Sequence, residues 1–150
     1  MKQTISAIVL TYNNATIIER FLKSVAWVDE VILVDSFSAD ATCEIATRTR
    51  PDCVIIQQKF KDFSSQRNYG LHTASSDWAM HFDSDHVVPK SLAEEILALI
   101  SKDTSQYDAY NVYQNLYWFG QLLRHTSGPV GFGVFLHRKG VAEFNNIIHE

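Results

Sequence analysis

The sequence is poor in the features that mark several common classes of protein. Only two of its 150 residues are cysteines, Cys43 and Cys53, and they match no metal-binding spacing, so we expect reduced thiols. No apolar run approaches the roughly 18 residues of a membrane-spanning helix. The net charge is −4 and basic clusters are lacking, which argues against nucleic acid as a partner. A signal-peptide cleavage pattern is also lacking, so we expect a cytoplasmic protein.

Apolar segments of strand length alternate with segments whose apolar residues recur at helical spacing. Strands are predicted at residues 5–10, 31–34, 53–56 and 78–82. Helices are predicted at residues 17–25, 39–49, 64–74 and 89–100, with Asn13-Asn14 capping the first and Ser64 or Ser65 the third. This alternation predicts an α/β fold in which helices flank a mostly parallel sheet.

Polar side chains follow three of the predicted strands, at the edge of a parallel sheet where ligands bind. The clusters are Thr11-Tyr12-Asn13, Asp35-Ser36 and Asp83-Ser84-Asp85. Two carboxylates this close repel each other unless a cation lies between them. Mg²⁺ or Mn²⁺ suits such a pair, because these ions take oxygen ligands and share their shell with substrate phosphates. The alternative is a simple turn in which Asp83 and Asp85 cap the following segment.

The pattern changes after Ser101. The segment YDAYNVYQNLYWFG is aromatic-rich and roughly alternating, which favours strand over helix. A glycine-rich loop follows at residues 128–133, and VFLHRKGVAEF is typical of a hairpin turning at Lys139-Gly140. We therefore expect two parts, residues 1–105 and residues 106–150, with the second too short to build a core of its own.

Four blocks together resemble one known family. They are ISAIVLTYNNATIIERFLKSV, DEVILVDSFSADAT, FSSQRNYGLHTASSDWAMHFDSD and RKGVAEFNNIIHE. In this order they are similar to the inverting family 2 glycosyltransferases of GT-A fold. Within that family they most resemble the bacterial lipopolysaccharide core β-glucosyltransferase branch. The resemblance implies transfer of a sugar from a nucleotide-sugar, with uridine diphosphate (UDP) as the expected carrier, to an acceptor hydroxyl with inversion, aided by Mg²⁺ or Mn²⁺.

The resemblance also implies roles for residues of the first part. Thr11, Tyr12 and Asn13 would bind the nucleotide-sugar, with Tyr12 stacking on the base. Asp35 would hydrogen-bond the base edge, although many members have a second aspartate where this chain has Ser36.

Three further residues of the first part would meet the phosphates and the metal. Arg67 would contact a phosphate or the base with its rigid fork of donors. Asp83 would meet the ribose or a metal-bound water, and Asp85 would bind the metal directly.

Three residues of the second part complete the implied site. Arg124 would contact the diphosphate or the acceptor. His149 would bind the metal or a phosphate, and Glu150 would be the general base that accepts the acceptor proton. A terminal His-Glu pair is also compatible with an exposed chain end.

Two other functions stay open at this stage. An apolar strand followed by DSD also fits the phosphatases of the haloacid dehalogenase class, with Asp83 as nucleophile and Asp85 as acid/base. That motif normally follows the first strand of its domain, whereas three strands are predicted before it here. The second alternative is a nucleotide-sugar binder without catalysis.

The two predicted parts carry different expectations about partners. Residues 1–105 form the nucleotide-sugar-binding half, and residues 106–150 form part of an acceptor-binding half of the same domain. We expect this chain to be the front of a longer enzyme, with apolar surface at residues 107–119 that a further segment or a homo-oligomer covers. The acceptor would be a glycan or lipid-linked, which is compatible with peripheral contact at the inner face of the membrane.

Overall fold

Strands and helices alternate through the part of the chain that the structure, a computed structural model, describes: residues 2–101, 107–123 and 134–145. The first eight elements are β1 (Ile5–Thr11), α1 (Ile18–Ser24), β2 (Glu30–Asp35), α2 (Thr42–Thr49), β3 (Val54–Gln57), α3 (Phe63–Thr73), β4 (Trp78–Asp83) and α4 (Lys90–Ile100). The strands that follow are β5 (Ala109–Val112), β6 (Tyr117–Trp118), β7 (Gln121–Leu122) and β8 (Val134–Arg138).

Six of these strands form one sheet in the order β3-β2-β1-β4-β8-β5. The first four are parallel, and β8 runs antiparallel to both β4 and β5. The predicted α/β fold with a mostly parallel sheet is therefore confirmed. The chain moves outward from β1 to β3 and then returns to the other side of β1 with β4. This reversal creates a topological switch point between β1 and β4, where ligands bind in open α/β sheets.

The central strands are buried on both faces, which explains their nearly continuous apolar runs. On one face, β1, β2 and β4 pack against α1, α2 and α4 through a core that includes Phe21, Ala46, Trp78 and Ile96. On the other face, Ile8, Ile32 and Val34 pack against Leu71 and Ala74 of α3 and its C-terminal end.

Helix α3 lies unusually close to the sheet because residue 70 is glycine. A Cβ atom at Gly70 would lie 2.5 Å from Cγ2 of Ile8 and 3.0 Å from Cγ2 of Val34. The prediction that Ser64 or Ser65 caps this helix is wrong. Its N-cap is Asp62, two residues before Ser64, because the Asp62 side chain accepts the Ser65 N–H at 2.6 Å. Glycine thus fixes the distance between α3 and the sheet, and Asp62 fixes where the helix begins.

The predicted hairpin at Lys139-Gly140 is only half present. Strand β8 and the turn exist, with Gly140 at φ 83°, but residues 141–145 form no strand. Instead residues 142–145, here called the strap, run alongside α3 and hydrogen-bond to it. The strap leaves the sheet because side chains of α3 supply the polar partners that a strand would have supplied.

The aromatic segment of the second part is largely exposed. Strands β6 and β7 pair across a turn at Phe119-Gly120, and Phe119 is 92% exposed. Tyr107, Tyr113 and Trp118 are also exposed, so the expected apolar surface is present. None of the helices in residues 2–101, 107–123 and 134–145 is long and apolar enough to cross a membrane.

Candidate functional site

The structure brings the polar strand ends together at one edge of the sheet. Thr11 at the end of β1 pairs with Asp35 at the end of β2, and Asp83 at the end of β4 pairs with Leu10 on the other side of β1. Because these strands are parallel neighbours, the first two clusters and the DSD segment border the switch point.

The Asp35 carboxylate holds the loop that follows β2. It is fully buried and accepts three hydrogen bonds: from the Thr11 hydroxyl at 3.1 Å, from the Ser38 N–H at 2.9 Å and from the Ser38 hydroxyl at 2.5 Å. Its contribution here is to the shape of the loop. The expected hydrogen bond to a base edge stays a prediction.

The loops after β1 and β2 are tied to each other by hydrogen bonds. The Asn13 N–H donates to the Ser38 hydroxyl at 2.9 Å, and the Asn13 side chain accepts from the Ala39 N–H at 2.8 Å. Two further bonds join Asn14 to Thr42 and Ala15 to Asp40. The expectation that Asn13-Asn14 caps α1 is therefore wrong, since that helix has no side-chain cap.

Two aromatic side chains are exposed on these loops. Tyr12 is 60% exposed at the end of β1, as its expected stacking role requires. Phe37 is 55% exposed and adopts φ 61°, a left-handed conformation that is rare for a bulky residue. Sequence reasoning missed Phe37, because only its position between two serines of a strand-end loop marked it.

The DSD segment forms a turn that points both carboxylates outward. Asp83 and Asp85 are exposed, whereas Ser84 between them is buried. His86 closes this turn with two hydrogen bonds. Its ring Nδ1 accepts the backbone N–H of Asp83 at 3.1 Å, and the backbone N–H of His86 donates to the Asp83 carbonyl at 3.1 Å. Its Nε2 contacts the Gln114 amide at 2.5 Å, which ties the turn to the segment after β5. Sequence reasoning missed His86, although it directly follows the motif.

The donor set of this turn fits a hard divalent cation that relies on its substrate for further ligands. Among the described residues, no group of three or more His, Cys, Asp or Glu side chains could hold a metal by itself. Mg²⁺ and Mn²⁺ sites of the diphosphate-binding type need only one or two carboxylates, with waters and phosphate oxygens completing the shell. Asp83 and Asp85 supply those carboxylates.

Arg67 of α3 reaches the same turn. Its Nη2 lies 3.0 Å from Oδ1 of Asp83, and its guanidinium contacts the rings of Phe63 and Phe144. The side chain is 23% exposed, so Arg67 is not the freely solvated helix charge that most arginines are. It places a fixed positive charge beside the DSD carboxylates.

A buried histidine pair lies beneath Asp83. His81 of β4 and His137 of β8 stack at 5.4 Å, with 3.3 Å between their Nε2 atoms. His137 Nδ1 faces the Arg138 carbonyl at 2.9 Å and must carry a proton there. Burial, together with the charges of His137 and Arg67, lowers the pKa of His81 to about 3. His81 is therefore neutral at physiological pH.

Three expected site residues, Arg124, His149 and Glu150, lie outside the described residues. Their roles stay predictions. The structure brings together the remaining expected residues of the first part: Thr11, Tyr12, Asn13 and Asp35 on one side of the switch point, and Arg67, Asp83 and Asp85 on the other.

Comparison with known proteins gives sequence relatives that are longer than this chain. An uncharacterized glycosyltransferase of Rickettsia bellii is 29% identical over 151 residues, which cover 99% of this chain and 51% of that protein. A Rickettsia felis protein of the same description is 30% identical and is matched over 52% of its length. The chain thus spans about half the length of the curated relatives it matches.

Solved structures share the fold. Residues 1–349 of TarS from S. aureus are 28% identical, with a TM-score of 0.59 over 71% of this chain and 34% of that one. The mannosyltransferase PcManGT from Pyrobaculum calidifontis, solved with GDP-Man and Mn²⁺, is 24% identical with a TM-score of 0.60 over 76% of this chain and 36% of that one. The second likeness concerns the fold alone. The profile of Glycosyl transferase family 2 matches residues 6–146, and the chain belongs to that family.

Proposed function

We propose that this chain is the nucleotide-sugar-binding part of a metal-dependent glycosyltransferase. The observation that carries the proposal is the outward-facing pair Asp83 and Asp85, which lies at the switch point across from Tyr12 and Asp35. Membership of family 2 supports the same activity and leaves the haloacid dehalogenase alternative without support.

The donor we propose is a UDP-linked hexose. TarS has been solved with UDP and with UDP-GlcNAc, and it is similar to this chain over 71% of its length. Tyr12 stacks on the base, and Thr11, Asn13 and Asp35 shape the loops beneath it. Asp35 is buried, so it acts mainly through Ser38 and Thr11.

The DSD turn and Arg67 bind the diphosphate of the donor. Asp85 and Asp83 would hold the divalent cation, which would supply Lewis-acid stabilisation of the leaving phosphate oxygen. Arg67 adds a positive charge that favours the anionic leaving group, and its planar fork restrains Asp83. His86 holds the backbone of the turn, which keeps both carboxylates on the solvent side.

The second part of the chain supplies the residues that we propose for the acceptor side of the site. Asn145 of the strap hydrogen-bonds Ser64 in the first turn of α3, at the same end of the helix as Arg67, and Glu150 follows five residues later in sequence. We keep Glu150 as the general base for an inverting transfer. His149 and Arg124 are kept as contacts of the metal or phosphates.

The division into a nucleotide half, residues 1–105, and a partial acceptor half, residues 106–150, belongs to this proposal. Strands β5 and β8 join the sheet of the first half, which supports placing the two halves in one domain. We further propose a glycan or lipid-linked acceptor in bacterial cell-surface or lipopolysaccharide core synthesis, reached at the inner face of the membrane. The exposed aromatic segment around Trp118 is the surface that a further segment or a second copy would cover.

Calorimetry and thermal unfolding with UDP, UDP-GlcNAc and GDP, each with and without Mn²⁺, test the proposal. We expect Mn²⁺-dependent binding of the uridine nucleotides. At 100 times the dissociation constant the ligand adds about 2.7 kcal/mol to the free energy of unfolding, or about 5–10 °C in melting temperature.

Asp85→Asn should abolish the Mn²⁺-dependent part of binding while the ligand-free melting temperature stays unchanged. Glu95→Gln, the same change of charge at an exposed position of α4, is the matched control and should bind like the wild type. Wild-type affinity in Asp85→Asn would remove the metal site. Release of inorganic phosphate from simple phosphomonoesters would instead favour the phosphatase alternative.

A further inference from the structure

The strap is fastened to one face of α3 by a row of three side chains. Ser64, Asn68 and His72 follow one another at helical i, i+4 spacing, so they lie on the same face. Their partners run in the opposite order along the strap: the Asn145 carbonyl at 2.8 Å, the Phe144 backbone, and the Glu143 carboxylate at 2.8 Å. The strap therefore runs antiparallel to α3.

Asn68 makes the strongest of these attachments. Its Nδ2 donates to the Phe144 carbonyl at 2.8 Å, and its Oδ1 accepts the Phe144 N–H at 2.8 Å. One amide thus satisfies both backbone polar groups of Phe144, as a neighbouring strand would. The backbone of Phe144 is fixed, and its ring packs edge-on against His81 at 4.6 Å.

The fixed ring of Phe144 forms one wall around Arg67. The Arg67 Cζ atom lies 5.5 Å from the centre of the Phe144 ring and 5.7 Å from the centre of the Phe63 ring. Both distances are within the range of a cation–π contact. The two rings limit the positions open to the guanidinium, and its Nη2 meets Asp83 at 3.0 Å.

We propose that Phe144, held by Asn68, is a positioning residue for the donor site: it fixes Arg67 and, through Arg67, the Asp83 carboxylate. The proposal rests on the proposed function, since it assigns Arg67 and Asp83 to diphosphate binding. The proposal links the two parts of the chain, because an aromatic ring from the second part fixes the position of a positively charged side chain in the first. Asn68 and Phe144 are separated by 76 residues in sequence.

Phe144→Leu tests the ring itself. Leucine keeps apolar bulk but has no π face, so we expect UDP affinity in the presence of Mn²⁺ to fall about 3- to 10-fold. Phe144→Tyr keeps the face and should restore affinity to within twofold of the wild type. His72→Ala is the matched control: it removes an exposed strap contact that does not reach Arg67 and should leave affinity within twofold.

A double-mutant cycle separates positioning from general destabilisation. If Phe144 acts through Arg67, Phe144→Leu causes no further loss of affinity in an Arg67→Ala background. If Phe144→Leu does not fold, Asn68→Ala releases the same backbone and should give the same non-additive loss. Melting temperatures without ligand identify a folding defect.

The outcomes distinguish the two proposals. A wild-type chain that binds no uridine nucleotide with Mn²⁺ overturns the proposed function, and this inference with it. A wild-type chain that binds, with Arg67→Ala weakened but Phe144→Leu unchanged or fully additive, overturns the positioning role alone. Unchanged binding in Arg67→Ala also overturns it.

Discussion

Gly70→Ala should destabilise the protein even though alanine is the better helix former. The added Cβ would lie 2.5 Å from Cγ2 of Ile8, and 3.0 Å from Cγ2 of Val34. Both side chains are buried, and each methyl sits on a branched carbon of a central strand, so neither can swing away. Overpacking of this severity costs about 3 kcal/mol, the upper end of the usual range. The higher helix propensity of alanine offsets about 1 kcal/mol of this cost, so the free energy of unfolding should fall by about 2 kcal/mol.

Urea and thermal unfolding followed by circular dichroism measure this loss, which corresponds to about 4–8 °C in melting temperature. Thr73→Ala, at an exposed position of the same helix, is the matched control and should change the free energy of unfolding by less than about 0.5 kcal/mol. In an Ile8→Ala background the Gly70→Ala substitution should cost much less, because the clashing methyl is gone. Equal or greater stability of Gly70→Ala in the wild-type background would refute the close-approach argument.

Two further predictions concern buried polar groups. The pKa of His81 is about 3 in the folded protein and 6.5 as its ordinary value, so the unfolded chain takes up the proton first as the pH falls. The contribution of His81 to the free energy of unfolding should therefore be level above pH 7 and decline below about pH 6.5 by up to about 1.4 kcal/mol per pH unit. His81→Phe should flatten that slope in urea titrations, and an unchanged slope would contradict the assignment. Asp35→Ala leaves the donors of Thr11 and Ser38 without their acceptor and should lower the free energy of unfolding by about 2–3 kcal/mol. A variant as stable as the wild type would show that the loop does not depend on this carboxylate.

The fold was predictable because its signals are local. Central strands buried on both faces appear as short continuous apolar runs, and the predicted strands at residues 5–10, 31–34 and 78–82 differ from β1, β2 and β4 by a residue at one or both ends. The placement of the polar clusters followed from the parallel arrangement alone, because the carboxyl ends of such strands share one edge.

The parts that sequence reasoning missed depend on distant partners. The sequence predicts Asn13 as a helix cap, but Asn13 hydrogen-bonds to Ser38 and Ala39 in another loop. The sequence predicts the strap as the second strand of a hairpin, but the Asn68 side chain hydrogen-bonds both backbone polar groups of Phe144. Neither pairing leaves a periodic or compositional trace, because each joins residues far apart in sequence.

The position of β8 between β4 and β5 has a consequence for the order of folding. Strand β5 is synthesised first, but it joins the sheet only through β8, which lies later in the chain. Strands β1 to β4 can assemble with their helices as soon as residues 5–100 have been made. The β5 segment must wait, with its aromatic neighbours in solvent, until β8 closes a long loop back to β4. Such non-local closure is slow and leaves an unpaired edge on β4 in the meantime. We therefore expect β5 and β8 to join late in folding, which would make this edge of the sheet the one most prone to aggregation during synthesis.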